Sequence, residues 1–306
     1  MDTEAGRAGD GAPLATLAGY TGHLLRRIYG RAVQTAHAVL PAGFQPRDFA
    51  ILGALAERDA TSQHDLAEKL KINRTMMVKV VDKLEDAGYV VRRRNPQDRR
   101  SYALSVTPAG RRALAEAAPA FSRAEQSLTQ PLSGRERKRL TVLLRQLMPE
   151  VASGLPEGFR GHIGYLLNAA DRRLRQFNDA ALGVLGIQMR HFTALAALAE
   201  AGPVAQQELA RMLALTEPAM VQIVDELETA GLAERGRDRH DRRRYALTIT
   251  DKGTATLAEA RQAMDANQQE VVATLGELGD VELRTLLTKM IDAPCPAESH
   301  PDHEGS

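Results

Sequence analysis

One half of the chain repeats the other. The segment from Phe44 to Leu114 aligns with the segment from Ile187 to Leu257 at a constant offset of 143 residues, without a gap. Inside these segments, Asp-Lys-Leu-Glu-Asp-Ala-Gly at 82–88 aligns with Asp-Glu-Leu-Glu-Thr-Ala-Gly at 225–231. A stretch that begins at Gly19 aligns further along the chain at an offset of 142. Self-similarity on this scale predicts a duplicated domain, and the two copies are called repeat 1 and repeat 2.

Length and composition fit two folded domains. A chain of 306 residues is longer than one that usually folds around a single hydrophobic core, and it suits two domains of about 150 residues each. Hydrophobic residues make up 43% of the chain, which excludes a wholly disordered protein. We expect domains at 14–148 and 161–292, a linker at 149–160, and disordered ends at 1–13 and 293–306.

The ends of the chain favour a cytoplasmic protein. Residues 1–13 contain acidic and glycine residues where a secretory signal would have a basic start and an apolar core. The one cysteine, Cys295, has no partner for an intramolecular disulfide, which fits a reducing compartment. Cys295 with His300 and His303 could form a weak metal site, but we expect a disordered tail and no metal.

The two halves differ in charge although the whole chain is nearly neutral. Residues 1–150 hold 24 basic and 16 acidic residues, whereas residues 151–306 hold 16 and 23. This imbalance suggests that the first half faces a polyanion more strongly than the second. The alternative is an uneven surface charge without functional consequence.

Both repeats predict the same order of elements. Hydrophobic spacing and capping residues predict helices in repeat 1 at 17–39 and 47–57, then two helices capped by Ser62 and Asn73 (62–70 and 73–87 with their caps), and two more that begin after Thr107 and Ser133. The helices at 62–70 and 73–87, joined by a tight turn, form a helix-turn-helix. Strands at 89–92 and 101–106 form a hairpin, its wing. The predicted fold class is mainly α with small β wings (α+β), in two winged helix-turn-helix domains.

The second helix of a helix-turn-helix enters the DNA major groove, and the residues near its start reach base edges. In repeat 1 this surface has side chains that can bond phosphates and bases, namely Arg74, Thr75, Met76, Lys79 and Lys83. The apolar residues between them, Met77, Val80, Val81 and Leu84, are assigned to the core. Repeat 2 has Glu217, Pro218, Ala219, Gln222 and Glu226 at the five surface positions. Its reading surface has lost its cations, and Gln222 is the DNA contact predicted there.

Both wings are strongly basic. The predicted DNA contacts are Arg92, Arg94, Arg99 and Arg100 in repeat 1, and Arg235, Arg237, Arg239, Arg242 and Arg243 in repeat 2. A narrow hairpin cannot neutralise so many guanidinium groups itself, so phosphates or a minor groove are the expected partners. The alternative is a solvated charged loop. Asp98 and Asp241 are expected to pair with nearby arginines and hold the wing in shape.

The wing sequence resembles that of the MarR family of bacterial regulators, whose hallmark is Asp-x-Arg followed by Leu-x-x-Thr-x-x-Gly. The pattern stands at Asp98-Arg99-Arg100 with Leu104, Thr107 and Gly110, and again at Asp241-Arg242-Arg243 with Leu247, Thr250 and Gly253. The resemblance covers roughly 14–148 and 156–292. It implies a dimer paired through the first and last helices that binds a near-palindromic operator and releases it on binding a small aromatic or phenolic ligand.

The presence of two such domains in one chain changes the expected assembly. The linker between the repeats keeps each repeat at a roughly millimolar effective concentration relative to the other. The two repeats are therefore expected to form the family dimer within one chain. This internal pseudo-dimer makes an obligate homodimer unnecessary.

The same resemblance suggests a ligand site where the first helix meets the winged domain. The candidate residues are Tyr20, His23, Arg27, Arg47 and Phe49, or alternatively His162, Tyr165, Arg190 and His191. Each of them is also acceptable as a packing or surface residue. No catalytic triad, phosphate loop or metal set stands out in the sequence, so we expect neither an enzyme nor a cofactor other than such an effector.

The leading interpretation is a sequence-specific regulator of transcription, a ligand-responsive repressor whose partner is double-stranded DNA. The alternative is a protein that keeps the fold for ligand or partner binding and has lost operator recognition. The loss of cations from repeat 2 leaves both interpretations open at this point.

Overall fold

The computed structural model describes residues 15–41, 43–57, 61–70, 72–94, 102–149, 161–213, 215–237 and 245–294. The helices of repeat 1 are α1 (Ala15–Ala18), α2 (Thr21–Val39), α3 (Pro46–Glu57), α4 (Gln63–Leu70), α5 (Arg74–Asp86), α6 (Pro108–Thr129) and α7 (Gly134–Leu147). Those of repeat 2 are α8 (Ile163–Val184), α9 (Met189–Ala201), α10 (Gln206–Met212), α11 (Glu217–Thr229), α12 (Asp251–Leu275) and α13 (Glu277–Asp292). The strands are β1 (Thr61–Ser62), β2 (Val90–Arg94), β3 (Tyr102–Val106), β4 (Ala233–Arg237) and β5 (Tyr245–Ile249).

Each repeat has a β-hairpin directly after its helix-turn-helix, which is formed by α4 and α5 in repeat 1 and by α10 and α11 in repeat 2. β2 pairs antiparallel with β3, and β4 with β5. In repeat 1, β1 adds a third strand beside β3, with Thr61 opposite Leu104. In repeat 2 the equivalent contact is a single bridge between Val204 and Leu247. The fold is therefore mainly α with small β wings, in two tandem winged helix-turn-helix domains, as the sequence predicts.

No single helix among the described residues is long and apolar enough to cross a membrane. Helices α8 and α9 meet the requirement of length and hydropathy only when they are taken together across the bend between them.

The chain forms two compact units, and each unit contains most of one repeat together with a terminal segment of the other repeat. One unit, called the repeat 2 unit, joins the described residues up to Arg27 with Arg172–Glu277. The other, called the repeat 1 unit, joins Ile28–Asp171 with the residues from Leu278 onward. The predicted domains follow the sequence repeats, whereas each compact unit contains one winged domain together with terminal helix segments from the other repeat.

Apolar faces of the helices build the core of each unit. In the repeat 1 unit, the four residues that the sequence assigns to the core face of α5 are all buried: Met77, Val80, Val81 and Leu84. In the repeat 2 unit, Phe192 of α9 is fully buried, and Leu17 and Tyr20 of repeat 1 pack into the same core. Burying a large apolar side chain contributes about 1.5–3 kcal/mol, so these contacts fix the N-terminal segment on this unit.

Side-chain caps fix where the helices begin. Asn73 Oδ1 accepts a hydrogen bond from the backbone N–H of Met76 at 2.8 Å, so α5 starts at Arg74. Ser133 and Glu136 form a reciprocal capping box at the start of α7. These caps involve residues within four positions of each other; the sequence predicts the caps Asn73 and Ser133 correctly, but not the reciprocal hydrogen bond of Glu136.

The first helix differs from the expectation. The sequence predicts one helix over 17–39, but the chain leaves the helix at Gly19 and Tyr20 and α2 starts at Thr21. The reason is tertiary: Gln268 Oε1 accepts the backbone N–H of Thr21 at 3.0 Å, and the ring of Tyr20 is buried. Strand β2 begins one residue later than predicted, at Val90, and extends two residues further, to Arg94, whereas Ser101 lies outside the described residues.

The Thr-x-x-Gly segment joins the wing to the next helix. Thr107 Oγ1 caps α6 by accepting from Gly110 N at 3.0 Å, and it donates to Gly88 O at 2.7 Å. A Cβ at Gly110 would lie 2.2 Å from a backbone carbonyl oxygen, so only glycine fits there. Thr250 and Gly253 repeat this arrangement in repeat 2. The segment thus anchors the base of each wing against a helix.

Candidate nucleic-acid interface

The first turn of α5 presents an exposed cationic surface. Arg74, Thr75 and Lys79 are exposed, and the first turn contains no acidic residue. The N-terminus of a helix has a partial positive charge and free N–H groups, which favour binding of phosphate. The side chains predicted to read DNA therefore stand at a helix end suited to an anion.

Arg47 adds a cation that the sequence analysis placed in the ligand site. It is exposed in the first turn of α3, and its Nη1 lies 2.9 Å from Sδ of Met76, a half-buried residue of α5. Arg47 thus stands beside the start of α5, the recognition helix of repeat 1, whose counterpart in repeat 2 is α11. The sequence does not predict that Arg47 lies close to Met76, because 29 positions separate the two residues along the chain.

Lys83 is held by a buried partner. Its Nζ lies 2.5 Å from Oδ2 of Asp48, whose side chain is 1% exposed. Asp48 Oδ2 also accepts the backbone N–H of Gln45 at the start of α3. The sequence places Lys83 on the DNA surface, and that contact stays a prediction; in the structure its ammonium group neutralises a buried carboxylate and ties α5 to α3.

The equivalent ion pair of repeat 2 has the opposite polarity. Glu226, which aligns with Lys83, lies 2.6 Å from Nε2 of His191, the residue that aligns with Asp48. Arg190 also donates to Glu226, at 3.0 and 3.1 Å. These hydrogen bonds, led by that of His191, lower the pKa of Glu226 to about 2. Glu226 is thus a neutralised partner of α9 and not an unpaired acidic group at this surface position.

The start of α11 differs from the start of α5. Thr216 caps α11, and Glu217 then places a carboxylate in its first turn. A carboxylate at this position neutralises the positive end of the helix and disfavours an incoming phosphate. Gln222, the predicted DNA contact of this repeat, donates its amide N–H to Glu226 at 3.0 Å.

The first arginine of each wing is neutralised by the recognition helix. Arg92 pairs with Asp82 at 2.5 Å and with Glu85, and these carboxylates raise its pKa although burial opposes the rise. Arg235 pairs in the same way with Asp225, at 2.8 Å, and with Glu228. The sequence assigns both arginines to DNA, and that contact stays a prediction. In the structure each of them is a brace between the wing and the helix before it.

The outer part of the wing is described only in part. Arg93 and Arg94 are exposed at the end of β2, where Arg94 stands opposite Tyr102. Arg237 stands at the same point of β4, and its backbone pairs with Tyr245. The predicted contacts Arg99, Arg100, Arg239, Arg242 and Arg243, with Asp98 and Asp241, lie outside the described residues.

Part of the predicted ligand site lies in the repeat 2 unit. The Tyr20 hydroxyl donates to Asp265 at 2.8 Å, and its ring meets Phe192 edge-on. Burial and the bond to Asp265 raise the pKa of Tyr20 to about 12. Burial, with a smaller effect of Arg27, lowers the pKa of His23 to about 4. The buried Nε2 of His23 has no hydrogen-bond partner among the described residues.

The other part lies in the repeat 1 unit. The buried ring of Phe49 stacks on Phe121 with 4.5 Å between the ring centroids. His162 meets Phe121 edge-on and lies 2.5 Å from Glu125. The Tyr165 hydroxyl lies 3.5 Å from a backbone carbonyl oxygen at the end of α4.

The structure groups the ligand-site candidates differently from the sequence analysis. The repeat 2 unit contains Tyr20, His23, Arg27, Arg190 and His191, and the repeat 1 unit contains Arg47, Phe49, His162 and Tyr165. The grouping changes because the first helix of each repeat begins against the winged domain of the other repeat. Arg47 and Phe49 therefore lie in the same unit as His162 and Tyr165, and Arg190 and His191 lie in the same unit as Tyr20.

Comparison with known proteins gives the family. Two family models, both described as the MarR family, match residues 44–102 and 185–244. A transcriptional regulator assigned to the hcr operon of Thauera aromatica is 35% identical over 139 residues, which are 43% of this chain and 81% of that protein. An HTH-type transcriptional repressor of Mycobacterium bovis is 30% identical, over 42% of this chain and 92% of that protein. The crystal structure of the PcaV transcriptional regulator from Streptomyces coelicolor with its natural ligand is 25% identical, covers 45% of this chain and 98% of that chain, and has a TM-score of 0.42. The chain belongs to the MarR family, whose curated relatives are transcriptional regulators, and it carries two domains of that family.

Proposed function

We propose that the protein is a sequence-specific DNA-binding repressor that reads an imperfect palindrome with two winged-helix heads in one chain, the head of repeat 1 dominating. The contrast between the first turns of α5 and α11 carries the proposal. α5 begins with exposed Arg74 at a positive helix end, whereas α11 begins with Glu217. Phosphates and the acceptor groups of guanine favour the first surface and disfavour the second.

The remaining exposed cations support the same asymmetry. Lys79 of α5, Arg47 beside it, and Arg93 and Arg94 of the wing are exposed in repeat 1. In repeat 2, Arg190 is paired with a carboxylate of the recognition helix. Repeat 2 is therefore held on DNA mainly by its wing, through contacts that depend on phosphates rather than on bases.

Pairing of the two repeats within one chain is the second part of the proposal. In the repeat 2 unit, Gln268 accepts the backbone N–H of Thr21 at the start of α2. In the repeat 1 unit, Glu125 accepts the backbone N–H of Ile163 at the start of α8, also at 3.0 Å. The two contacts join equivalent positions of opposite repeats, and such reciprocity is expected of a two-fold interface. It supports a pseudo-dimer that places two heads on successive major grooves about 10 base pairs apart.

Fluorescence anisotropy with labelled duplex DNA from upstream of the protein's own gene, at about 100 mM salt, tests the DNA-binding role. Arg74→Ala should weaken specific binding by about 1–3 kcal/mol if the guanidinium group reads a base bidentately. Arg135→Ala, which removes an exposed arginine from α7, is the matched control and should leave affinity unchanged. Equal affinity of the wild type for specific and random DNA, or equal losses in the two variants, would contradict the proposal.

A small aromatic or phenolic effector is the third part of the proposal, and unpaired buried groups in the repeat 2 unit support it. His23 Nε2 and Arg261 Nε are both buried without hydrogen-bond partners among the described residues. A buried polar atom without a partner costs about 1–3 kcal/mol, which a ligand with an acceptor group would recover. The adjacent rings of Tyr20 and Phe192 offer apolar surface for an aromatic molecule.

Titration with 4-hydroxybenzoate, followed by thermal shift and by release of labelled DNA, tests the effector site. Binding should stabilise the wild type in proportion to the logarithm of ligand concentration above the dissociation constant. His23→Gln should weaken this response, whereas His37→Gln, at an exposed histidine of the same helix, should not. An identical response in both variants would show that the ligand binds elsewhere.

A further inference from the structure

Helices α7 and α13 are equivalent elements of the two repeats and pack against each other in the repeat 1 unit. Glu136 near the start of α7 meets Lys289 near the end of α13 at 2.8 Å. Further along α7, Arg139 meets Glu282 at 2.7 Å. As the residue number rises along α7 it falls along α13, so the two helices are antiparallel.

Arg139 and Glu282 occupy the same position of the two repeats. They are 143 residues apart, which is the constant offset between the repeats. In a two-fold assembly, a residue that touches its own equivalent lies at the symmetry axis. The charge of one repeat at this position therefore acts directly on the charge of the other repeat at the equivalent position.

Like charges would meet if each repeat paired with its own copy in a second chain. Repeat 1 against repeat 1 would bring Arg139 against a second Arg139, and repeat 2 against repeat 2 would bring Glu282 against a second Glu282. Pairing of repeat 1 with repeat 2 brings opposite charges together. The ion pair of Glu136 and Lys289 is likewise confined to the mixed pairing, because the equivalent positions hold Gly279 and Gln146.

We propose that the charges on α7 and α13, centred on Arg139 and Glu282, form a self-recognition surface that selects repeat 1 with repeat 2 and rejects pairing of like repeats between chains. The partner of α7 is then the complementary α13 surface, whether in the same chain or in another. The inference rests on the proposed in-chain pairing and is independent of DNA binding. Because both side chains are half exposed, the selection should weaken as salt rises.

Full-length charge variants test the selection. Arg139→Glu leaves two acidic groups in contact within one chain, and Glu282→Arg leaves two basic groups. When these two variants are mixed, each α7 can find an oppositely charged α13 only in the other chain. Native mass spectrometry and sedimentation at about 50 mM salt should show a mixed two-chain species with a dissociation constant about ten-fold or more below that of either variant alone. High salt should abolish the difference.

Two controls separate the inference from the proposed pairing on which it rests. The exchanged variant Arg139→Glu with Glu282→Arg should behave as a single chain and regain the denaturation midpoint lost in the single variants. Lys138→Glu, an equal charge change at the exposed neighbouring position, should not associate with Glu282→Arg. A wild type that sediments as a two-chain species would overturn the in-chain pairing itself. A single-chain wild type whose complementary variants fail to associate would overturn the charge selection alone.

Discussion

At the scale of residues, Lys83 and Glu226 occupy the same position of the two repeats with opposite charges, and each is balanced by the helix that precedes the helix-turn-helix, α3 or α9. Lys83 is paired with Asp48, and Glu226 with His191. The helix caps could be predicted because their partners lie within four residues. The balance at these positions could not, since 35 residues separate the two members of each pair. Considered alone, Glu226 suggests a lost DNA contact, whereas considered with Arg190 it is one member of an internal ion pair of inverted polarity.

His23 gives the residue scale its pH prediction. Its pKa in the folded state, about 4, lies below its ordinary value of 6.5, so between these values the unfolded state binds more protons. The stability from neutral His23 is complete above pH 6.5 and is lost as the pH falls toward 4. The expected loss is about 2–3 kcal/mol. The free energy of unfolding, measured with denaturant at several pH values from 7 to 4, should depend less steeply on pH in His23→Gln than in His37→Gln. Equal slopes would show that His23 is not titrating in this range.

At the scale of elements, the recognition helix and the wing of each repeat act as one braced unit. Arg92 joins β2 to Asp82 and Glu85 of α5, and Arg235 makes the same link in repeat 2. The sequence predicts the order of helices and strands from periodicity and capping. It does not separate a bracing arginine from one that faces solvent, because both belong to the same basic run and only the helix packing distinguishes them.

Neighbouring wing arginines should therefore differ in what their removal does. Arg92→Ala breaks the brace and should cost about 1 kcal/mol in unfolding free energy, as expected for partly exposed ion pairs. Arg94→Ala should leave stability unchanged and weaken specific and random DNA alike, with the slope of log K against log salt reduced by about 0.9. Chemical denaturation and salt-dependent anisotropy on both variants give the comparison. If Arg94→Ala destabilised the protein while DNA binding was unaffected, the assignment of the outer wing to phosphate would be wrong.

At the scale of the whole molecule, duplication has allowed the two halves to diverge while they remain in one chain. The repeat is visible in the sequence, and it predicts two winged domains correctly. The exchange of helix ends between the compact units depends on contacts such as that of Thr21 with Gln268, whose partners are 247 residues apart. For this reason the sequence predicts ligand-site residues grouped within each repeat, whereas the structure groups them across repeats.

The central claim is that a single chain reads DNA with two unequal heads. The most direct measurement is the affinity of the wild type and of Glu217→Ala for an operator in which each half-site is disrupted separately. The account predicts a large loss of affinity when the half-site under repeat 1 is disrupted and a small loss for the other half-site. Removal of the Glu217 carboxylate should leave binding unchanged or tighter. Equal losses from the two half-sites, together with a substantial loss of affinity in Glu217→Ala, would show that both heads read sequence and would contradict the account.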